Sequence, residues 1–240
     1  MSVFAIADLH LPGGGSINKS MDMFGPRWQD HKNRICKNWS AVVSDSDTVV
    51  VGGDISWAMT LGDVLDDLRF LDSLPGEKII LEGNHDFWWT TTSKLEAFFS
   101  SNDITSIRIL RGNAYLRDGI AVCGTRGWFS TEAAQNRTFD TNYDKLIRRE
   151  AERLRASVTE ALALVNGDAS RLRAFTHFPV AFGGDACIPM LDVLHVAGVT
   201  QLYFGHIHGV YDYPLTYEYG GVYHSGIAAD YLSFTPRLVR

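Results

Sequence analysis

The chain has 240 residues, of which 45% are hydrophobic and 21% are charged, proportions that exclude a disordered or fibrous protein. A chain of this length can bury a large core, so a bound metal would serve chemistry rather than folding. The formal net charge is −6 and no run of lysine or arginine is long, which argues against nucleic-acid and membrane partners. A small anionic substrate stays possible, because bound cations would reverse the local charge.

Cysteine content and the first residues of the chain indicate its compartment. Cys36, Cys123 and Cys187 are widely spaced and form no C-x-x-C pair, which favours free thiols in a reducing compartment. The first residues lack the basic segment of a signal peptide and soon reach an acidic residue, Asp8. No stretch of the sequence has the length of a transmembrane helix. We therefore expect a soluble, cytoplasmic protein.

Short apolar runs bounded by turn residues predict buried strands. In chain order, these runs are residues 3–7, 48–51, 78–81, 120–123, 172–176, 201–204 and 220–226. Between them, apolar residues at helical spacing predict helices over residues 28–42, 61–71, 147–165 and 188–196, with Pro26 at the start of the first. Alternating strands and helices predict an α/β fold with a largely parallel first sheet, in a single domain over residues 1–240.

Side chains that can bind metal follow five of the predicted strands. The carboxyl ends of strands in α/β sheets are where ligands bind, so loops distant in sequence can converge there. Each short motif alone could be a turn, but five of them in one chain are much harder to attribute to chance. The residues are Asp8, His10, Asp54, Asn84, His85, His177, His206 and His208.

Residues 203–208 place two histidines two positions apart. If this segment is extended, His206 and His208 point to the same face, a spacing that suits one metal cluster. The polar face of an exposed strand would produce the same pattern. For this segment alone, the two interpretations are equal.

Together, these motifs resemble those of the calcineurin-like metallophosphoesterases, in particular the bacterial phosphohydrolases of that superfamily. The resemblance implies a four-layer sandwich of two β-sheets flanked by helices, with a dinuclear metal site at the C-terminal edge of the strands. The matching blocks span residues 8 to 208 and are Asp8-x-His10, Gly53-Asp54, Gly83-Asn84-His85-Asp86, His177 and Gly205-His206-x-His208.

The resemblance also implies a role for each matching residue. A hydroxide bridging the two ions would attack phosphorus, and His85 would protonate the leaving oxygen or stabilise the developing charge. The alternative for His85 is a histidine that only positions Asn84. Mixed imidazole, carboxylate and amide ligands suit manganese, iron or zinc. The implied ligands are Asp8, His10 and His208 for one ion, Asn84, His177 and His206 for the other, and Asp54 as the bridge between them.

Two further positions bear on the substrate. The protein-phosphatase branch of the family carries a second acid three residues after the bridging aspartate, where it orients the catalytic histidine, whereas this chain has Trp57. The difference disfavours a phosphoprotein phosphatase and leaves open what orients His85, a role that we do not assign to Asp86. Arg126, in a glycine-flanked turn, is a candidate to bind the substrate phosphate, and a solvated loop arginine is the equal alternative.

Several aromatic residues and histidines lie outside the motifs. Trp88 and Trp89 could wall a substrate pocket, although core packing is the more usual fate of such a pair. His31, His195 and His224 are expected to have surface or packing roles, and the position of His224 on a late strand would also allow it to approach the site.

We expect a metal-dependent phosphoesterase that hydrolyses a small phosphomonoester or phosphodiester. One alternative is a nuclease with the same two-metal centre. The acidic charge argues against it, and salt-dependent DNA binding would reveal it. A second alternative is an interaction module that keeps the fold and has lost the metals, which metal analysis would reveal.

Overall fold

The computed structural model describes residues 1–14, 20–136 and 142–240. Its β-strands are β1 (Val3–Ile6), β2 (Thr48–Val51), β3 (Glu77–Ile80), β4 (Ile107–Ile109), β5 (Ala114–Arg117), β6 (Ile120–Thr125), β7 (Leu172–Thr176), β8 (Ala181–Phe182), β9 (Asp185–Ala186), β10 (Gln201–Phe204), β11 (Thr216–Tyr219), β12 (Val222–Gly226) and β13 (Arg237–Leu238). Its α-helices are α1 (His31–Val42), α2 (Leu65–Ser73), α3 (Thr92–Ser101), α4 (Glu132–Asn136), α5 (Tyr143–Leu164) and α6 (Ile188–Val196).

The described residues form two compact units. The first unit comprises Met1–Ile109 and Ile227–Arg240, and the second comprises Leu110–Gly226. Each unit contains one main sheet with helices packed on it. The predicted α/β fold with two β-sheets flanked by helices is therefore confirmed.

The sheet of the first unit has five strands in the order β13-β1-β2-β3-β4. Strands β1 to β4 run parallel, as the sequence predicts, and β13 pairs antiparallel with β1. All four residues of β2 are buried, which explains its unbroken apolar run, because a parallel strand covered on both faces has no polar alternation. Helices α1, α2 and α3 contribute Trp39, Leu68 and Phe99 to the hydrophobic core of this unit.

The sheet of the second unit has six strands in the order β11-β12-β10-β7-β6-β5. The four inner strands are parallel, and the edge strands β5 and β11 are antiparallel to their neighbours. The long helix α5 buries Leu154 and Val158 in the core of this unit, and α6 buries Leu194. Strands β8 and β9 form a separate two-stranded sheet.

Helix starts differ from the predicted ones where the backbone makes a local turn. Pro26 begins a short 3-10 helix, and α1 begins only at His31 because Asp30 adopts the left-handed conformation, with φ of 53°. Helix α5 begins earlier than predicted, since the Asn142 side chain accepts a hydrogen bond from the N–H of Lys145 and caps the helix. Helix α6 has its predicted bounds.

A buried lysine closes the end of α2. Lys78 is fully buried, and its Nζ donates hydrogen bonds to the carbonyl oxygens of Asp72, Leu74 and Gly76 at 3.0, 2.7 and 2.8 Å. The three N–H groups of the ammonium thus meet carbonyl groups at and just beyond the C-terminus of a helix, where positive charge is favourable. Lys78 is therefore the capping cation at the C-terminal end of α2.

The cysteines and helices bear on the predicted compartment. All three cysteines are free thiols, as predicted. Cys123 is buried in the second unit, and this burial raises the pKa of its thiol to about 12. Such a thiol stays protonated at neutral pH and is a poor nucleophile. Within the described part of the chain, no helix is long and apolar enough to cross a membrane.

His224 lies in the interior of the second unit. It stands opposite Tyr217 across β11 and β12, and the two rings stack with their centroids 5.3 Å apart and their planes at 3°. The residue is fully buried, and this burial lowers the pKa of His224 to about 4. His224 thus packs within the sheet as a neutral imidazole at pH 7.

Because an unfolded histidine titrates near pH 6.5, the folded protein binds fewer protons than the unfolded chain between pH 6.5 and about 4. The free energy of unfolding should therefore fall as the pH is lowered through this window, by roughly 3 kcal/mol in total. We expect His224→Phe, which keeps an aromatic ring but does not titrate, to remove this part of the pH dependence in urea unfolding. Parallel stability curves for the two proteins across the window would contradict this account.

Candidate metal centre

In the first unit, the loops that follow β1 and β2 run side by side. The N–H of Asp8 donates to the carbonyl of Gly53 at 2.8 Å, and the N–H of His10 donates to the carbonyl of Asp54 at 3.0 Å. These hydrogen bonds continue the parallel pairing of the two strands beyond their ends. They bring Asp8 and His10, which come from one predicted motif, next to Asp54, which comes from another.

The side chains of Asp8, His10 and Asp54 form a buried cluster. A ligand atom of Asp8 lies within 4.8 Å of one in His10 and of one in Asp54. The Nε2 atom of His10 lies 3.8 Å from Oδ2 of Asp54. Two carboxylates and an imidazole that are buried together fit a divalent cation, since burying carboxylates without a compensating charge is costly.

All three residues of this cluster have left-handed backbone conformations. The φ angles of Asp8, His10 and Asp54 are 59°, 44° and 50°. Such angles are uncommon outside glycine, and they persist at functional sites where the surrounding structure holds them in place. Here the paired loops hold the backbone, so the ligand positions are set before any ion binds.

The loop after β3 lies against Asp54. The N–H of His85 donates to Oδ1 of Asp54 at 2.7 Å, and Nε2 of His85 lies 4.0 Å from Oδ2. The His85 side chain is 37% exposed, so a substrate could reach it. Asn84, the predicted ligand beside it, is half-buried. The structure therefore brings Asp8, His10, Asp54, Asn84 and His85 to one edge of the first sheet.

Asp86 holds the ligand loops together, a role that the sequence does not reveal. Its Oδ1 accepts hydrogen bonds from the N–H groups of Ile55 and Ser56 at 2.8 and 3.2 Å, and its Oδ2 accepts one from Gly83 at 2.8 Å. Trp88 donates its indole N–H to the same carboxylate, so this tryptophan packs inside the unit. Burial raises the pKa of Asp86 to about 6, while the N–H donors act in the opposite direction.

Two other residues pack against His10, a predicted metal ligand. His31 is buried with its Nε2 3.1 Å from the backbone carbonyl oxygen of His10, and burial lowers its pKa. This contact gives His31 the packing role that the sequence predicts. The indole ring of Trp57 stacks on the His10 imidazole with centroids 4.9 Å apart.

In the second unit, the loops after β6, β7 and β10 are linked by their backbones. The carbonyl oxygen of Arg126 accepts hydrogen bonds from the N–H groups of His177 and Phe178 at 3.0 and 3.1 Å. The carbonyl oxygen of His177 accepts one from Gly205 at 3.1 Å. This chain of contacts brings His177 and His206 together, with ring centroids 5.3 Å apart.

Residues 203–208 are not extended throughout, so the condition for a common face of the two histidines is not met. Strand β10 ends at Phe204, and His206 has a left-handed backbone with φ of 69°. The alternation of an extended strand therefore does not place His206 and His208 on a common face. His206 packs against the Phe178 ring at 4.5 Å, whereas His208 is exposed. Their roles as ligands stay predictions on the strength of the motif.

Arg126 has contacts that neither sequence-based alternative anticipates. Its guanidinium carbon lies 5.1 Å from the ring centroid of Trp128 and 5.8 Å from that of Phe178, distances typical of cation–π contacts. The indole N–H of Trp128 donates to the side-chain oxygen of Gln135 at 2.8 Å, which fixes the ring beneath the arginine. The proposed phosphate contact of Arg126 stays a prediction.

The chain matches the family model of the calcineurin-like phosphoesterases over residues 1–210. It therefore belongs to this family. Membership of this family supports metal-dependent hydrolysis of phosphoesters in general.

Known proteins similar to this chain include a phage protein and two solved structures. The gene 66 protein of Mycobacterium phage D29 is 35% identical over 85 residues, a stretch that spans 35% of this chain and 40% of the phage protein. The structure of phosphopantetheinyl hydrolase from Mycobacterium tuberculosis aligns with 99% of this chain, and the alignment covers 95% of the hydrolase chain. Its TM-score is 0.53 and its sequence identity is 15%. The structure of the protein TT1561 of Thermus thermophilus aligns with 99% of this chain, and the alignment covers 97% of the TT1561 chain. Its TM-score is 0.55 and its sequence identity is 9%. At these identities, the two structures support the fold alone.

Gly83 offers a direct test of the site geometry. A Cβ atom at this position would lie 2.0 Å from the backbone nitrogen of Asp54 and 2.1 Å from its Oδ1. We therefore expect Gly83→Ala to push the loops apart and to weaken Mn²⁺ binding in a calorimetric titration, or to prevent folding altogether. Gly62→Ala is the matched control, because its Cβ would meet only the Thr60 hydroxyl oxygen, at 3.7 Å. Unchanged Mn²⁺ affinity in folded Gly83→Ala would contradict the geometry.

Proposed function

We propose that this protein hydrolyses a small phosphomonoester or phosphodiester at a centre of two divalent ions, which would be manganese, iron or zinc. The observation that carries the proposal is the buried cluster of Asp8, His10 and Asp54. A second group, His177 and His206, has the donor chemistry to complete such a centre. The proposal treats residues 1–240 as one metallophosphoesterase domain and assigns the ligands as Asp8, His10, Asp54, Asn84, His177, His206 and His208.

Bound divalent ions would supply an activated water as nucleophile and would offset charge on the phosphoryl group. Three residues of the chain have the remaining roles. Asp54 would be the anionic ligand shared by the two ions, as the family motif implies, and its Oδ2 lies 3.8 Å from Nε2 of His10, a second predicted ligand. His85 donates a proton to the leaving oxygen, a role consistent with its partial exposure and its backbone anchor on Asp54. Arg126 binds an oxygen of the substrate phosphate.

The substrate class follows from charge. The net charge of −6 and the lack of a long basic run favour a small phosphoester over nucleic acid, whose binding requires many phosphate contacts. The three free thiols favour a reducing compartment, so we propose that the protein acts in the cytoplasm.

The proposal is tested by assaying the full chain against phosphomonoesters, phosphodiesters and nucleotides with and without Mn²⁺. We expect hydrolysis of at least one small ester, its loss in EDTA, its recovery with Mn²⁺, and near-complete loss in Asp54→Ala. Activity confined to DNA or RNA, with binding that weakens steeply as salt rises, would replace the proposal with a nuclease. Full activity in EDTA, or in Asp54→Ala, would refute the metal-dependent mechanism.

The role of His85 makes a separate prediction. His85→Asn should retain the metal content of the wild type but lower kcat roughly 10²–10⁴-fold, the range for loss of a positioned acid–base group. The loss should be smaller for aryl phosphates, whose leaving groups need little protonation, than for alkyl phosphates. The exposed His195→Asn is the matched control for the same substitution. Loss of metal in His85→Asn, or an equal loss for both ester classes, would rule out proton donation.

A further inference from the structure

Trp57 is fixed at both ends in the loop that follows Asp54. Its backbone N–H donates to the carbonyl oxygen of Leu11 at 3.0 Å, which ties it to the loop after β1. Its indole N–H donates to the sulfur of Met21 at 3.2 Å. The residue is half-buried, so one part of the ring packs inside the unit while another part stays accessible. The ring plane is therefore set by contacts on two sides.

The fixed indole ring contacts both histidines of this edge of the sheet. It stacks on the His10 imidazole with centroids 4.9 Å apart and planes at 19°, and it lies against the His85 imidazole with centroids 4.5 Å apart and planes at 46°. The two imidazoles are 5.7 Å apart. The three rings thus form one contiguous aromatic cluster, in which the indole contacts both the predicted ligand His10 and the proposed proton donor His85.

We propose that Trp57 is the positioning residue that sets the ring orientation of His85 for proton transfer. The backbone of His85 is anchored by its hydrogen bond to Asp54, but that bond leaves rotation about the side-chain bonds unrestrained. The flat face of the indole restricts this rotation by contact and keeps Nε2 on the side of the Asp54 carboxylate. The inference rests on the proton-donor role proposed for His85.

Positioning by ring contact has a different chemical requirement from positioning by a hydrogen bond. A contact needs a large flat apolar face, so phenylalanine should replace tryptophan with little loss. Leucine keeps an apolar side chain but is smaller and lacks the flat face, and alanine leaves the imidazole free to turn. A misplacement of about 1 Å at a reacting group can cost 10²-fold in rate, which sets the scale of the effect.

The test uses the full-length protein saturated with Mn²⁺ and compares alkyl with aryl phosphates. We expect Trp57→Leu to lower kcat for an alkyl phosphate about 10–10²-fold with little change in KM. Trp57→Phe should restore most of that rate, and aryl phosphates should be affected far less. Trp57→Ala should follow Trp57→Leu, and if alanine prevents folding, the leucine and phenylalanine variants carry the test.

A double-mutant cycle separates action through His85 from a general structural role. If Trp57 acts through His85, then Trp57→Leu should cost less than about 3-fold in the His85→Asn background, because the group that it positions is already absent. An undiminished loss in that background, or equal losses for alkyl and aryl phosphates, would overturn the proposal. Trp28→Phe is the control for an effect that arises from a loosened His10 ring, since Trp28 packs edge-on against that ring with centroids 5.7 Å apart.

The same measurements distinguish failure of this inference from failure of the proposed function. If His85→Asn keeps full kcat on alkyl phosphates, the proton-donor role itself is wrong. If His85→Asn is impaired but Trp57→Leu is not, only the positioning role is wrong. A kcat loss in Trp57→Leu that disappears on raising Mn²⁺ further would assign the effect to His10 and overturn the proposal.

Discussion

The burial of two carboxylates side by side is the constraint on which the site depends. Asp8 and Asp54 have exposed fractions of 0% and 1%, and ligand atoms of the two residues lie within 4.8 Å. Like charges at this separation in a region of low dielectric repel each other strongly, so they require cations or N–H donors nearby. The backbone hydrogen bonds between the loops after β1 and β2 hold the carboxylates together despite this repulsion. The local architecture therefore favours binding of a divalent ion.

The loops around this cluster show how the cost of burial is offset. Asp54 accepts the N–H of His85, and Asp86 accepts backbone N–H groups from the loop after β2 and from Gly83. The carboxylate of Asp86 thus holds the loops in place, while the carboxylate of Asp54 belongs to the cluster with Asp8 and His10. Gly83 permits this arrangement because no side chain fits between its backbone and Asp54. The ring of Trp57 then covers His10 and His85 from the side.

The fold and the predicted site residues follow from local patterns, but the supporting contacts do not. Apolar runs and strand-end motifs predict the parallel sheet and the groups at its edge, because both depend on short stretches of sequence. The partners of Asp86 include Ile55, which lies 31 positions away, so no local pattern reveals its role. Trp57 and His85 are also far apart in the sequence, so no local pattern reveals their contact either. The left-handed backbone of His206, two residues after the end of β10, is likewise not visible in the sequence pattern.

The central claim is that Asp54 is a ligand shared by two ions, and electron paramagnetic resonance of the Mn²⁺-saturated protein tests it most directly. A shared carboxylate holds two ions close enough for their spins to couple. The wild type should therefore show the spectrum of a coupled manganese pair, and folded Asp54→Ala should show only isolated ions or none. A spectrum of isolated ions in the saturated wild type, or coupling that survives in Asp54→Ala, would contradict the account.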